Sequence, residues 1–250
     1  MKKDYTKIVF IVDRSGSMSS IATDMIGGYN RFIEDQKKLN HGTCDVSFYQ
    51  FNEGYEKIYE NTPVAFVKNL DRETFVPQGS TALYDAIGRT ILAVGKQLEK
   101  LAESERPDKV LIAIITDGYE NASQEFTAEK VKKMIEEQTN KYSWVFTYIG
   151  ANQDAWSVGQ NIGIGTSRSF NYAANAKGAN AMFDSLTSNV TLLRMCSADS
   201  VNFSYSDEDI KKQTEAGATT PNPQGAIPQP SIGSSPKTSK KPLRSASIAW

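Results

Sequence analysis

Two kinds of apolar pattern alternate along most of the chain. Residues 8–12 and 110–115 are apolar at every position and rich in β-branched side chains, which is typical of strands buried on both faces of a parallel sheet. Other segments repeat their apolar residues at helical spacing, which predicts amphipathic helices that cover such a sheet. These predicted helices are residues 24–39, 83–101, 126–138 and 175–195.

Further strands complete the predicted sheet. Residues 44–51 alternate apolar and polar side chains, and the turn Asn52-Glu53-Gly54 leads into residues 55–60, so this region predicts a β-hairpin. Residues 143–149, which are rich in aromatic and β-branched side chains, and residues 167–172 predict two more strands. The alternation of strands and helices indicates an α/β fold with a six-stranded, doubly wound sheet and a crevice at the strand carboxyl ends.

Oxygen-bearing side chains follow the two wholly apolar strands. The first strand ends at Asp13, with Ser15 and Ser17 in the next turn, and the second ends at Asp117. A polar loop that contains Thr81 lies between them in sequence. One carboxylate and two hydroxyls form a partial ligand set for a hard divalent cation. Taken alone, the Asp13 to Ser17 segment is equally typical of turn and helix-capping chemistry.

All five of these positions resemble the metal-ion-dependent adhesion site (MIDAS) of the von Willebrand factor type A (VWA) family. That family has Asp-x-Ser-x-Ser, a distant Thr in a Gly-Ser-Thr-like loop, and a strand-terminal Asp; the matching residues are Asp13, Ser15, Ser17, Thr81 and Asp117. The resemblance covers roughly residues 6–196. It implies a Rossmann-like, mostly parallel sheet in which the second hairpin strand is the one antiparallel edge strand.

The resemblance also implies a mechanism. The serines and the threonine contact the metal directly or through water, the two aspartates act mostly through bridging waters, and a Glu or Asp of a partner protein fills the vacant position. Oxygen ligands suit Mg²⁺ best, with Mn²⁺ and Ca²⁺ as alternatives. Five residues near the predicted site are candidates for a partner-binding rim, although capping and packing are competing explanations. They are Tyr84, Tyr119, Glu120, Asn152 and Gln153.

The composition bears on the class of partner and on the cellular compartment. The net charge of −1 and pI near 6.0 indicate no general preference for nucleic acid or membrane. Two isolated cysteines do not make a disulfide framework, which favours a reducing compartment. The sequence also lacks the pattern of a signal peptide or a membrane span, so we expect a cytoplasmic protein.

The composition changes near the carboxyl end. Residues 216–250 contain six of the nine prolines, four basic side chains and no acidic ones, a composition typical of disorder. The predicted organisation is therefore a VWA domain at residues 1–212 and a Pro/Ser/Lys-rich tail at residues 213–250. The tail is interpreted as a linker or as a docking peptide that uses Trp250.

Three functions remain open from the sequence. The leading hypothesis is a metal-dependent protein–protein interaction module that captures an acidic residue of its partner. The first alternative is a structural or decorating subunit of a larger assembly, phage-associated assemblies included, in which the tail docks. The second is a metal-dependent hydrolase, but the single histidine, His41, lies in a turn predicted at the far end of the first helix. We therefore expect no enzymatic activity.

Overall fold

The computed structural model of the chain describes residues 1–218. Its sheet has six strands in the order β3-β2-β1-β4-β5-β6. All neighbouring strands are parallel except the hairpin pair of β2 and β3, so β3 is an antiparallel edge strand. The strands are β1 (Lys2–Asp13), β2 (Thr43–Phe51), β3 (Tyr55–Pro63), β4 (Pro107–Thr116), β5 (Val145–Ala151) and β6 (Ser169–Tyr172). The predicted six-stranded α/β architecture is confirmed.

Helices cover both faces of this sheet. On one face the core includes Phe10 of β1, Phe32 and Phe183, contributed by α1 and α5. On the other face Val9 of β1 packs in a second core with residues of α2 and α3. The helices are α1 (Ala22–Lys38), α2 (Leu83–Glu99), α3 (Ala128–Tyr142), α4 (Ala155–Asn161), α5 (Ala176–Met195) and α6 (Asp207–Glu215). None of the helices within residues 1–218 has the length and apolar character needed to cross a membrane.

The strand order places a crevice beside β1. The chain passes from β1 to β2 on one side and later returns to β4 on the other. In open α/β sheets, loops diverge at such a reversal of strand order and leave room for a ligand at the carboxyl ends of the strands. Asp13 is the last residue of β1, and Asp117 directly follows β4. The fold therefore places both predicted carboxylates at this crevice.

Helix α6 was not predicted from the sequence. Its residues are mostly polar, and its only buried side chain is that of Gln213. Gln213 accepts a hydrogen bond from Ala173 N at 3.0 Å and donates one to Gly178 O at 3.0 Å. The helix runs across the boundary expected between residues 212 and 213, so the folded unit includes residues 213–215. The rest of the predicted tail, from residue 219 onward, lies outside the described residues.

Candidate metal centre

Three loops meet at the carboxyl ends of β1 and β4. The loop after β1 is joined to β2 by Arg14 N, which donates to Phe51 O at 2.7 Å. It is joined to the loop before α2 by Gly16 N, which donates to Gly79 O at 3.0 Å, and by Gln78 N, which donates to the Arg14 carbonyl at 2.8 Å. These backbone bonds hold the segments that carry Ser15, Ser17 and Thr81 against one another.

The structure brings the five predicted site residues together. Ser15 Oγ lies 3.1 Å from Ser17 Oγ, and Ser17 Oγ donates to Asp117 Oδ1 at 2.6 Å. Gly118 marks the point on which the oxygens converge. A β-carbon at Gly118 would lie 3.2 Å from Thr81 Oγ1, 3.4 Å from Ser17 Oγ and 3.7 Å from Asp13 Oδ2. The absence of a side chain at this glycine thus leaves a small space lined by oxygen atoms.

The charge of the site is not compensated by a basic side chain. Asp13 is 0% exposed and Asp117 is 4% exposed, and neither forms an ion pair within residues 1–218. Burial, with a smaller contribution from nearby Asp117, raises the pKa of Asp13 to about 6, although hydrogen bonds from Thr116 and Ser15 oppose the shift. Burial also raises the pKa of Asp117. Two neighbouring buried carboxylates are costly unless a cation accompanies them.

The donor set selects the class of cation that fits. Two carboxylates and three hydroxyls are hard oxygen donors, which suit Mg²⁺, Mn²⁺ or Ca²⁺. Within the described part of the chain, no three or more His, Cys, Asp or Glu side chains are grouped to hold a metal. The residues of the site therefore fit a hard divalent cation through their hydroxyls as well as their carboxylates, and they leave positions for further ligands.

Thr116 is a site residue that the sequence analysis missed. Its Oγ1 donates to Asp13 Oδ2 at 2.6 Å and accepts a hydrogen bond from Gly118 N at 3.1 Å. It thereby orients the Asp13 carboxylate and fixes the loop after β4. The sequence feature that could have indicated this role is the position of Thr116, a polar residue between the apolar run 110–115 and Asp117.

A second missed feature joins the Thr81 loop to the loop after β4. Thr81 N donates to Asn121 Oδ1 at 2.8 Å, and Asn121 N donates to Thr81 O at 3.0 Å. Asp85, in the first turn of α2, accepts hydrogen bonds from the backbone of residues 124–126, each at 2.9 Å. These bonds connect groups about 40 residues apart in sequence, so no local pattern indicated them.

The candidate rim residues divide into two groups. Glu120 accepts hydrogen bonds from Tyr84 N at 3.0 Å and Ser123 N at 2.7 Å, and Gln153, only 2% exposed, donates to Gly118 O at 3.2 Å. These contacts favour the structural explanation for Glu120 and Gln153. Tyr119 is 63% exposed, and Asn152 is exposed with a positive φ of 56°. Tyr84 is half-buried.

The segment after β5 contains a helix cap and a buried tryptophan. Asp154 caps α4 by accepting hydrogen bonds from Trp156 N and Ser157 N. Trp156 is buried, and its Nε1 donates to Ser169 O at 2.7 Å. In this segment Asp154 therefore serves helix capping and Trp156 core packing, while Asn152 is exposed.

Comparison with known proteins identifies the fold through solved structures. No family model matches the sequence, and no curated protein matches it. Proximal thread matrix protein 1 (PTMP1) from the mussel byssus is 15% identical over 76% of this chain and 46% of its own, with a TM-score of 0.53. The PilB minor pilin from Streptococcus sanguinis is 12% identical over 76% of this chain and 62% of its own, with a TM-score of 0.51.

One of these similar structures carries a metal at the corresponding type of site. PTMP1 solved with a zinc-occupied MIDAS motif is 15% identical over 75% of this chain and 46% of its own, with a TM-score of 0.51. This chain therefore spans about half to three fifths of the length of the proteins it is compared with. At these identities the likeness shows a shared fold.

Proposed function

The chain has the von Willebrand factor type A fold, and from that premise we propose that it is a metal-dependent protein-interaction module. A divalent cation, Mg²⁺ in the first place, is held at the carboxyl ends of β1 and β4. An Asp or Glu of a partner protein completes its coordination. The cation supplies a strong electrostatic contact for that carboxylate.

The observation that carries this proposal is the pair of buried, unpaired carboxylates beside converging hydroxyls. Asp13 and Asp117 lack a basic partner in residues 1–218, and the oxygens of Thr81 and Ser17 face the space that Gly118 leaves open. A bound cation would neutralise the carboxylates and so remove most of the cost of burying them.

Each of the five site residues then has a defined role in holding the cation. Ser15, Ser17 and Thr81 would supply hydroxyl oxygens to the cation. Asp13, which accepts hydrogen bonds from Ser15 N and Thr116 Oγ1 at 2.6 Å each, is oriented as an acceptor for water molecules around it. Asp117 accepts from the Ser17 hydroxyl and orients that serine. Because the protein provides few charged ligands, a partner carboxylate is favoured at the remaining position.

Tyr119 and Asn152 are the rim residues we assign to the partner. Both are exposed, and Tyr119 is adjacent to Gly118, whose position is fixed by hydrogen bonds to Thr116 and Gln153. An exposed aromatic side chain on a well-held backbone loses little conformational freedom on binding, which is a common property of interface hot spots. We infer that Tyr119 packs against the partner beside the captured carboxylate.

Two observations bear on the alternative functions. His41 Nε2 lies 3.8 Å from Asp4 Oδ1 at the start of β1, about 30 Å from Asp13 by the rise of a strand. This placement argues against a histidine-assisted hydrolase. The similar structures include a minor pilin and a byssal thread matrix protein, so an assembly subunit with the same fold remains the second candidate.

The test has two stages, of which the first measures the metal alone. Calorimetric titration with Mg²⁺, Mn²⁺, Ca²⁺ and Zn²⁺ is expected to show one site in the wild type and none in Asp13→Asn. Asp184→Asn is the matched control, because it makes the same charge change at an exposed position of α5. Equal metal binding by all three proteins would contradict the proposed site.

The second stage identifies the partner. Wild type, Asp13→Asn and Asp184→Asn are each used to capture proteins from a lysate of the source cells, with Mg²⁺ and with chelator. A partner retained by wild type and Asp184→Asn only with Mg²⁺ supports the proposal, and its Asp or Glu residues are then replaced by the amides. A partner retained equally under all conditions would favour the assembly role instead.

A further inference from the structure

The hairpin of β2 and β3 contains a β-bulge near the end of β3. The pairing register shifts between Val46 and Phe48 of β2. As a result, two residues of β3, Glu60 and Asn61, lie opposite Ser47 alone, which is the arrangement of a bulge. Asn61 has a positive φ of 50°, a conformation that asparagine adopts more readily than most residues. A bulge interrupts the regular alternation of side chains and so redirects the side chain of Asn61.

The side chain that meets this bulge is a buried lysine of β1. Lys7 is 1% exposed, and its Nζ donates to Asn61 Oδ1 and lies 3.5 Å from Ser47 Oγ. Ser47 Oγ in turn accepts a hydrogen bond from Asn61 N at 3.0 Å. Because Cγ of Asn61 is bonded to Oδ1, a hydrogen bond to Oδ1 holds the amine about 3–4 Å from Cγ, close to the separation from which a nucleophile attacks.

The amine of Lys7 can act as a nucleophile only when it is uncharged. Lys7 forms no ion pair within residues 1–218. Burial lowers the pKa of Lys7 from 10.5 to about 8, although the charges of Asp45 in β2 and Glu60 in β3 act in the opposite direction. Both carboxylates accept a tyrosine hydroxyl, from Tyr5 at 2.6 Å and from Tyr49 at 2.7 Å respectively. A buried lysine of this kind loses its proton close to neutral pH.

We propose that Lys7 and Asn61 form an intramolecular isopeptide bond. Nζ of Lys7 attacks Cγ of Asn61, the new Nζ–Cγ bond replaces the Cγ–Nδ2 bond, and one molecule of ammonia leaves. One proton moves from Nζ to the departing nitrogen, so the reaction balances without an oxidant or a co-reactant. Ser47 Oγ lies beside Nζ and is the hydroxyl placed to relay that proton. Asn61 is exposed on the edge strand, which gives the ammonia a path to solvent.

The bond joins two strands that are not neighbours in the sheet. β2 lies between β1 and β3, and the two residues are 54 positions apart in sequence. A crosslink over such a long loop restricts the unfolded chain and so stabilises the fold. Lys7 lies about 20 Å from Asp13 by the rise of a strand, so the reaction is independent of the metal site. Until the bond forms, Lys7 remains ionisable, and its titration is a property of the unreacted chain.

Intact-mass spectrometry of the full chain, incubated at pH 7 and at pH 9, measures the reaction directly. The wild type is expected to become lighter by the mass of one ammonia molecule. The rate at pH 9 should be about tenfold higher, because the uncharged fraction of Lys7 rises by about that factor. Proteolysis should then release a branched peptide that contains both Lys7 and Asn61. The reacted chain is expected to unfold at a higher urea concentration than the unreacted chain.

Two variants each remove one reacting group, and both are expected to keep the full mass. They are Lys7→Met and Asn61→Gly, of which the second preserves the bulge because glycine adopts a positive φ readily. Lys68→Met is the matched control, since it removes an exposed lysine from the loop between β3 and α2, and it should react as the wild type does.

An unchanged mass of the wild type at pH 9 would overturn the proposal. The same loss of ammonia in Lys7→Met would also overturn it, because an asparagine would then have cyclised onto its own backbone. If Lys7→Met does not fold, the branched peptide of the wild type decides between these two reactions, since only the isopeptide bond joins Lys7 to Asn61.

Discussion

Gly118 provides the space on which the candidate metal site depends. A methyl group there would point at oxygens of Thr81, Ser17 and Asp13, at 3.2 to 3.7 Å from its β-carbon. Its φ is not in the left-handed region, so alanine can adopt the backbone conformation. Replacement of Gly118 by alanine should therefore affect metal binding while leaving the fold intact.

The prediction for Gly118→Ala follows from this geometry. We expect the free energy of unfolding of the metal-free protein to change by about 1 kcal/mol or less, while Mg²⁺ affinity falls about tenfold or more because the methyl occupies the oxygen-lined space. Urea denaturation and calorimetry measure the two quantities. Gly165→Ala is the control, since its β-carbon would meet no atom within 4 Å. Unchanged Mg²⁺ affinity in Gly118→Ala would contradict the placement of the cation.

Lys7 is a buried cation within the sheet. Its Nζ donates to Asn61 Oδ1 and lies 3.5 Å from Ser47 Oγ. Burial lowers the pKa of Lys7 from 10.5 to about 8, although Asp45 and Glu60 act in the opposite direction. The folded protein therefore releases this proton at a lower pH than the unfolded chain does. Burial of the charged Lys7 lowers the free energy of unfolding below pH 8, and this destabilisation decreases as the pH rises from 8 to 10.5.

The pH dependence of stability tests this assignment. Relative to Lys7→Met, the wild type is expected to gain about 3 kcal/mol in free energy of unfolding between pH 8 and pH 10.5. The comparison with Lys7→Met cancels the titration of tyrosines and cysteines in the same range. Parallel urea-denaturation curves against pH for the two proteins would show that Lys7 keeps its ordinary pKa.

At the scale of elements, the start of α2 is held by two acidic side chains with different partners. Asp85 accepts hydrogen bonds from three successive backbone N–H groups, residues 124–126. Glu120, from the loop after β4, accepts from Tyr84 N at the helix start. Thr81 lies two residues before the first residue of α2, so the position of its hydroxyl depends on the same contacts.

Asp85→Ala is therefore expected to lower the free energy of unfolding by about 2 kcal/mol or more, because three N–H groups lose their acceptor. It is also expected to weaken Mg²⁺ binding through displacement of Thr81. Tyr119→Ala, in contrast, should leave stability and Mg²⁺ affinity unchanged and weaken only partner binding. Urea denaturation, calorimetry and the capture assay measure these effects. A partner-specific loss in Asp85→Ala without a change in stability would contradict the structural role.

The strands and the helices that cover the sheet were largely predictable from local patterns. The apolar runs that end at Asp13 and Asp117, and the helical spacing after Leu83, depend on residues close in sequence. Helix α6 was missed because its stability comes from distant contacts of Gln213 rather than from an apolar face. The same holds for the acceptors of Asp85, which a sequence pattern does not show.

At the scale of the whole molecule, buried polar contacts join the carboxyl-terminal helices to the sheet and to α1. Lys109 of β4 donates to Cys196 O at 2.8 Å after α5. Arg194 of α5 donates to Gln36 O at 2.7 Å in α1. Gln213 then ties α6 to the end of β6 and the start of α5. The folded unit consequently depends on residues beyond the 212 boundary.

Truncation tests where the folded unit ends. A chain ended after residue 212 is expected to lose about 2 kcal/mol or more of unfolding free energy relative to a chain ended after residue 218, because the N–H of Ala173 and the carbonyl of Gly178 lose Gln213. Gln213→Ala in the full chain should reproduce much of this loss. Equal stability of the two truncated chains in urea would show that α6 contributes nothing to the fold.

By itself, the sequence predicted the strands and four of the helices, and its resemblance to the VWA family predicted the five residues that meet beside β1. Strand and helix periodicity and short residue motifs are local properties of the chain, so they can be recognised without the tertiary structure. Only the tertiary structure decided that Glu120 and Gln153 are engaged inside the protein while Tyr119 is exposed. Both outcomes depend on contacts between segments far apart in sequence, because burial and hydrogen bonding are settled only when those segments pack.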